Sequence, residues 1–258
     1  MRYLYAVETE TELRDYQAFA ARVQPRLDAC LRFFREEYAV KELPRAIVWT
    51  GREAATELLC DIPVPAYTNE FRVILCPTLS VWRDIYLRQL DGLTGPAAAE
   101  VRAFYESAVN ENRILSILGH ELAHHSEWFL DDFEGRQESG VWFEEGMAEY
   151  IGRRYFLTAG EFDRETHINR LLVELLEPRY GGHSLEDFGA KTYEGDYASI
   201  FFEYWRSFLA VESLVLRSGD LPAVFRSYWE WDAKGREQTL EDWFFLRTGR
   251  CDGNPHLA

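Results

Sequence analysis

Apolar and polar positions in the first third of the chain follow first a helical and then a strand-like pattern. Apolar side chains recur at helical spacing over residues 11–38, which predicts a helix that Pro25 kinks or divides. The runs RAIVWT at 45–50 and FRVILC at 71–76 are rich in β-branched and aromatic residues, so they predict strands. Between them, residues 53–59 have the pattern of a short helix.

The rest of the chain has mainly helical periodicity. Residues 97–129 are strongly helical with at most one break, and a polar, glycine-containing loop at 131–140 leads to a helix at 141–155. Further helical segments are predicted at 161–176, 184–188, 197–216, 221–229 and 240–246. This order of elements predicts an α+β fold, with a small N-terminal mixed sheet and helices followed by a largely helical C-terminal region.

Length and composition predict one domain. The 258 residues contain no internal repeat, low-complexity tract or Pro/Ser-rich linker, and they suffice for a substantial core. We therefore expect a single domain at 1–258. It would have an N-terminal α/β part at 1–95, a pair of central helices within 96–156 and a helical C-terminal part at 157–258.

The charge balance narrows the class of partner. The chain has 44 acidic and 28 basic side chains, a formal net charge of -16, which argues against binding nucleic acid or an anionic membrane through a broad basic face. No stretch approaches the ~18 apolar residues of a membrane helix, and the N-terminus has no signal-peptide core. These features predict a soluble, cytoplasmic protein with no membrane and no nucleic-acid partner. The four cysteines lack CxxC spacing, so a cysteine zinc site is not expected.

Residues 120–124, HELAH, match the pattern H-E-x-x-H. At ~100° per residue, His120 and His124 lie about 40° apart on successive turns of a helix, so both imidazoles can bind one zinc ion. Glu121 lies about 60° from His124 and can reach water at the metal without being a ligand, which is the position of a general base. The pattern therefore predicts a catalytic zinc site, against the simpler interpretation of two incidental histidines on a solvated helix face.

A second acidic pattern downstream offers a third ligand, because a catalytic zinc usually has three protein ligands and a water. In WFEEGMAEY at 142–150, Glu145 and Glu149 are four residues apart and share one face of a helix. We expect Glu145 to be the ligand and Glu149 to accept a hydrogen bond from the free ring nitrogen of a ligand histidine. Glu144 is the rival ligand, although it points about 100° away from Glu145. The simpler explanation of these carboxylates is an acidic first turn that complements the helix dipole.

The other faces of these two helices have the residues that packing requires. Leu115, Leu118 and Leu122 lie opposite the histidines and are expected in the core. Gly146 and Ala148 are small, so the second helix is expected to approach the first closely.

HELAHH at 120–125 followed by WFEEGMAEY at 142–150 resembles the gluzincin branch of the zincin metallopeptidases, in particular its small soluble MA-like members. There, HExxH is followed after about twenty residues by W-x-x-E-G-x-A-E-Y. YASIFFEY at 197–204 is similar to the tyrosine-containing helix that follows the ligand helix in such proteins, and the Asp-Trp pair at 242–243 resembles their terminal segment. The helix-then-strands order at the N-terminus also fits, with 71–76 as the edge strand beside the cleft.

The resemblance implies a zincin fold in which His120, His124 and Glu145 bind zinc and Glu121 is the base. It also implies a downstream tyrosine or histidine that stabilises the oxyanion, although no motif identifies it. The candidates are Tyr180, His183, Tyr193, Tyr197 and Tyr204. Tyr197 is the first choice because it begins a helix after a glycine-rich loop. His125 is expected beside the ligands or at the surface.

These residues predict a zinc-dependent peptidase whose partner is a peptide or protein substrate. The substrate would lie extended along the edge strand by β-augmentation. Two alternatives stay open: a binding or regulatory protein that keeps the zincin scaffold without proteolysis, and a zinc hydrolase of a non-peptide amide. Substrate preference, oligomeric state and regulation are not predicted.

Overall fold

A computed structural model describes residues 1–59, 63–130, 133 and 139–247 of the chain. Its strands are β1 (Arg2–Ala6), β2 (Ala46–Thr50), β3 (Ala66–Asn69) and β4 (Arg72–Leu75). Its α-helices are α1 (Glu10–Glu37), α2 (Leu79–Arg88), α3 (Pro96–Ser107), α4 (Glu111–Ala123), α5 (Val141–Phe156), α6 (Ala159–Tyr180), α7 (Tyr197–Ser218), α8 (Leu221–Ala233) and α9 (Leu240–Arg247). A π-helical turn covers Ala54–Leu59, and short 3₁₀ turns cover Leu185–Asp187 and Ala190–Glu194. The predicted α+β class, with a small mixed sheet and mainly helical content, is confirmed.

The four strands form one sheet in the order β1-β2-β4-β3. β1, β2 and β4 are parallel, and β3 is antiparallel to β4. The strands predicted at 45–50 and 71–76 are confirmed as β2 and β4, but β4 is not an edge strand. The edge beside the cleft is β3, which the sequence pattern does not predict. A tight turn joins β3 to β4 and makes the two strands antiparallel neighbours. The Asn69 side chain stabilises this turn by accepting hydrogen bonds from the backbone nitrogens of Phe71 and Arg72, both at 3.0 Å.

Helix α1 covers one face of the sheet and runs without interruption through Pro25. Val23 and Leu27 are fully buried, whereas the Pro25 ring is exposed. The proline therefore faces solvent, and the buried residues on either side hold the helix against the core, which offsets the hydrogen bond that proline removes. The predicted division of this segment is wrong.

Helices α4 and α5 lie in close contact because of glycine. A Cβ atom on Gly152 would lie 2.4 Å from the carbonyl oxygen of Ser116 and 2.6 Å from the backbone nitrogen of His120, so α5 approaches α4 here as only glycine allows. A Cβ atom on Gly146 would instead lie 2.4 Å from the carbonyl oxygen of Ser207. Gly146 therefore allows α7, and not α4, to approach α5 closely, which corrects the prediction made for this glycine.

The pair of central helices, α4 and α5, lies between the sheet and the C-terminal helices: α4 contacts β3 and β4, and α5 contacts α7. Leu115, Leu118 and Leu122 are fully buried, as predicted for the packed face of α4. The segment 97–129, predicted to be helical with at most one break, has one interval, between α3 and α4, but its helical part ends at Ala123 and not near residue 129. Within the part of the chain that the structure describes, no helix is both long and apolar enough to cross a membrane.

Candidate metal centre

The two histidines of the HExxH pattern lie side by side at the C-terminal end of α4. Asn110 caps the start of this helix by accepting a hydrogen bond from the backbone nitrogen of Asn112 at 2.8 Å. His120 is in the last turn, and His124 follows the helix with helical backbone angles of φ -59° and ψ -18°. Their Nε2 atoms are 3.2 Å apart. The local helix thus brings both imidazoles to one point, as their spacing predicts.

Helix α5 brings Glu145, and not Glu144, to this point. Glu145 Oε2 lies 3.2 Å from Nε2 of His120 and 3.5 Å from Nε2 of His124. The Glu144 carboxylate is buried elsewhere, where it accepts hydrogen bonds from the backbone nitrogen of Leu130 at 2.6 Å and from the Tyr228 hydroxyl at 2.7 Å. The structure therefore groups Glu145 with the histidines.

This group has the donor set and the spacing of a metal site. One ligand atom from each of His120, His124 and Glu145 lies within 4.8 Å of the other two. Glu145 Oε2 is buried and, among the described residues, has no hydrogen-bond partner. Leaving a buried carboxylate oxygen unpaired is costly, whereas coordination to a dication would satisfy it. Two imidazoles and one carboxylate are a typical ligand set of catalytic zinc, so these residues fit that ion.

The carboxyl groups of the centre differ in their environment. Burial raises the pKa of Glu121 to about 8; the neighbouring His124 opposes this shift, and Glu145 and Glu149 add to it. Burial alone would also raise the pKa of Glu145, but the nearby His124 and His120 hold it well below its usual value. Of these three carboxyl groups, Glu121 is therefore the one that takes up a proton most readily, as a group that accepts a proton and then delivers it must.

Glu149 lies behind His120, one of the two histidines expected to be ligands. Its Oε1 lies 3.6 Å from Nδ1 of His120, which is longer than a hydrogen bond, while Oε2 accepts one from Nε of Arg153 at 2.6 Å. Burial raises the pKa of Glu149, but Arg153 and His120 more than reverse this effect and keep it ionised. The predicted position of Glu149 beside a ligand histidine is therefore observed, and the hydrogen bond itself is not.

A buried network of charges behind Glu149 was missed at the sequence level. Arg153 is 1% exposed and also lies 3.9 Å from Glu165, which accepts a hydrogen bond from Arg113 at 2.8 Å. The four side chains come from α4, α5 and α6 and pair two positive with two negative charges. The one available signal was the spacing of Glu149 and Arg153, four residues apart on one helix.

Two tyrosines, Tyr193 and Tyr204, lie beside the group of His120, His124 and Glu145, and the first candidate, Tyr197, does not. The hydroxyls of Tyr193 and Tyr204 are 2.8 Å apart, and the Tyr193 hydroxyl lies 3.5 Å from Oε1 of Glu145. Burial, with the negative charge of Glu145, raises both tyrosine pKa values well above the usual range. Both hydroxyls therefore stay protonated and can donate hydrogen bonds.

The other candidates have partners elsewhere. The Tyr197 hydroxyl donates to the backbone oxygen of Pro63, and its ring stacks on that of Phe201 at 6.0 Å. Tyr197 does not line the cavity that contains the histidines. The remaining two bond acidic side chains, Tyr180 with Asp196 and His183 with Glu203. This placement favours Tyr193 and Tyr204 over Tyr197 as hydrogen-bond donors to a substrate.

His125, which directly follows His124 after the end of α4, contacts the edge strand β3. Its Nε2 lies 2.9 Å from Oγ1 of Thr68 on β3. Burial, together with His124, lowers the pKa of His125 to about 4, so the ring is neutral at neutral pH. His125 is therefore not grouped with the predicted ligands, and it holds β3 beside them.

A cavity of about 290 Å³ contains the centre. Its walls include His120, Glu121, His124 and Glu145, the residues Ala66, Tyr67 and Thr68 of β3, and the two tyrosines described above. Comparisons of the chain with models of protein families, with curated proteins and with solved structures found no match. The function must therefore be argued from the site.

Proposed function

We propose that the chain is a zinc-dependent peptidase. The observation that carries the proposal is one cavity in which Glu121 adjoins the group of His120, His124 and Glu145. Two histidines and a glutamate would hold zinc, and a neighbouring carboxyl group with a raised pKa would move the proton.

A zincin-like fold is part of this proposal. It is supported by a small mixed sheet whose antiparallel edge strand β3 lies beside the HExxH helix, and by a following helix that contributes a glutamate. An extended peptide would add to the sheet beside β3, which is the last strand of the sheet among the described residues. His125 would keep this edge at the distance from α4 that the reaction needs.

The chain's own residues account for the proton and charge movements of hydrolysis. When bound, zinc supplies a Lewis acid that polarises the scissile carbonyl and lowers the pKa of water toward neutrality. A carboxylate oxygen of Glu121 accepts the proton of the attacking water and delivers it to the leaving nitrogen. The hydroxyl of Tyr193 or Tyr204 donates a hydrogen bond to the oxygen on which negative charge develops. Glu149, held by Arg153, lies 3.6 Å from Nδ1 of His120 and places a negative charge beside that ring.

The direct test combines metal analysis with digestion of a peptide mixture. We expect close to one zinc per chain, cleavage of peptides, loss of cleavage on treatment with a chelator, and recovery on adding zinc. Cleavage that continues after complete removal of the metal would contradict the proposal. Stoichiometric zinc without cleavage of any peptide would instead favour a binding protein, and release of amine from simple acyl amides alone would favour a non-peptide hydrolase.

Removing the hydroxyl group of Tyr193 or Tyr204 should reduce activity. Replacing Tyr193 or Tyr204 with phenylalanine should, for at least one of the two, lower kcat by roughly 10²-fold with little change in KM, because one oxyanion donor contributes about 10²–10³-fold to kcat. Tyr197→Phe is the matched control and should keep near-normal kcat, since its hydroxyl bonds Pro63. A loss of kcat in Tyr197→Phe alone would reverse this assignment. Steady-state kinetics on one cleaved peptide measures all three variants.

A further inference from the structure

The cavity extends from the metal-binding group into an aromatic end. This end is formed by Trp82 and Tyr86 of α2, Ile117 of α4, and Phe201 and Trp205 of α7, all of which are buried and line the cavity. Within α2 and within α7 the two aromatic residues are four apart, so each helix presents its pair on one face. We call these five residues the aromatic end of the cavity.

The aromatic end begins one helical turn from the proposed ligands. Ile117 precedes His120 by three residues on α4, a rise of about 4.5 Å. On α7, Trp205 directly follows Tyr204, whose ring centroid lies 5.9 Å from that of His120. A side chain on a residue at the scissile bond is long enough to bridge this distance.

The walls of the aromatic end are preformed. The Trp82 indole nitrogen donates to the backbone oxygen of Cys76 at 2.8 Å, and the Tyr86 hydroxyl accepts from Arg113 at 2.8 Å. The Tyr86 ring also stacks on Tyr105 with centroids 4.7 Å apart. These hydrogen bonds and ring contacts already fix the side chains of Trp82 and Tyr86. Binding a ligand would therefore cost little additional side-chain entropy, which favours affinity.

Charges around the aromatic end argue against a charged side chain as its occupant. Arg113 and Arg153 also line the cavity. Each arginine is paired with a glutamate, Arg113 with Glu165 and Arg153 with Glu149, so these four groups carry no net charge. A charged side chain would lose its hydration here without meeting an excess of opposite charge among them. A neutral aromatic side chain suits these walls, because aromatic pairs attract beyond the area that they bury.

We propose that the aromatic end is a specificity pocket that binds a phenylalanine, tyrosine or tryptophan side chain of the substrate residue next to the scissile bond. The assignment rests on the proposed peptidase function and deepens it. The volume of about 290 Å³ is near the lower limit of small-molecule sites, so the cavity holds the reacting group and one bulky side chain. Burying a phenylalanine side chain corresponds to roughly a 10- to 100-fold preference over alanine.

The first test reads the preference from cleavage products. The zinc-loaded full chain digests a peptide mixture, and mass spectrometry identifies the residues on each side of every cleaved bond. We expect aromatic residues to be enriched roughly 10-fold at one of the two positions, over alanine, lysine and glutamate. Cleavage without such enrichment, or with equal enrichment of leucine, would overturn the pocket and leave the peptidase function standing.

The second test does not depend on turnover. The hydroxamates of phenylalanine, alanine, lysine and glutamate share one metal-binding group and differ in the side chain, and calorimetry gives their dissociation constants for the zinc-loaded chain. We expect the phenylalanine compound to bind roughly 10-fold more tightly than the other three. Equal binding of all four would overturn the pocket. Preference for the phenylalanine compound in a chain that cleaves no peptide would support the pocket and contradict the peptidase function.

Two variants link the preference to the named walls. Ile117→Phe fills the pocket and should remove the preference for the phenylalanine hydroxamate over the alanine compound while zinc stays bound. Leu216→Phe adds a ring to the exposed face of α7, where Leu216 is 69% exposed, and should keep the preference. If Ile117→Phe fails to fold, Phe201→Leu serves in its place and should weaken the preference several-fold. An unchanged preference in a folded Ile117→Phe or Phe201→Leu protein would overturn the assignment.

Discussion

Replacing Glu121 with glutamine should abolish peptide hydrolysis and leave zinc bound. The amide has the shape of the carboxylate but cannot accept the proton of the attacking water, so kcat should fall by about 10²- to 10⁴-fold. Zinc should remain because Glu121 is not among the three residues whose ligand atoms are grouped, which are His120, His124 and Glu145. Metal analysis and steady-state kinetics on the same preparation measure both quantities.

A glutamate outside the cavity provides the control for this substitution. Glu127 follows His124 by three residues, and its side chain is 48% exposed beside Lys41. Glu127→Gln removes the same charge from the same region and should keep both zinc and activity. A fully active Glu121→Gln protein would remove the proposed base. Loss of zinc from Glu121→Gln would instead show that Glu121 is a ligand.

Replacing Glu145 with glutamine should remove zinc from the chain. An amide is a poor substitute for a carboxylate ligand, and the two neighbouring histidines would then have to hold the dication alone. Loss of a group that only orients a ligand lowers metal affinity by about 10- to 100-fold, so loss of the ligand itself should lower it by more than about 100-fold. Competition with a fluorescent zinc chelator measures this affinity, and hydrolysis should disappear with the metal.

The adjacent Glu144 is a matched control, because it is the same residue type on the same helix and is at least as well buried. Its carboxylate bonds Leu130 and Tyr228 on the other side of α5. The side-chain oxygen of glutamine can still accept those hydrogen bonds, so Glu144→Gln should fold and keep its zinc affinity. Zinc affinity that falls in Glu144→Gln and not in Glu145→Gln would reverse the assignment of the third ligand.

The parts of the site that lie within one helix could be predicted from the sequence. His120 and His124 are brought together by helical spacing alone, and the same spacing separates Glu145 from Glu144 by about 100°. The amphipathic pattern of α4 likewise predicted the buried face with Leu115, Leu118 and Leu122. These predictions depend on one local geometry that changes little between proteins. The grouping of the three side chains agrees with them, and the binding of zinc stays a prediction.

Predictions that required the position of one element relative to another were less successful. Tyr197 begins α7 after a glycine-rich loop, as expected, yet its hydroxyl meets Pro63, a residue far away in sequence. Tyr193 lies in a short 3₁₀ turn and reaches Glu145 only because that turn packs on α7. No periodicity within either segment reports these distances.

The strands beside the cleft show the same difference between predicting an element and predicting its position in the fold. The apolar run at 71–76 correctly predicted β4, but whether a strand lies at an edge depends on what pairs with it. Here β3, with only four residues, turns back at Asn69 and covers β4. The run of four residues is too short for a clear alternating pattern.

Local spacing therefore accounts for which side chains of the candidate site share one face of a helix, because each helix places its own side chains by rotation and rise. Packing between elements accounts for the meeting of Glu145 with the two histidines. It also accounts for what surrounds them: the edge strand, Tyr193 and Tyr204, the buried arginines behind Glu149 and the aromatic end of the cavity. These features join residues separated by long stretches of chain, and their distances follow from how the whole core fills space. A sequence pattern read one segment at a time contains no such distances.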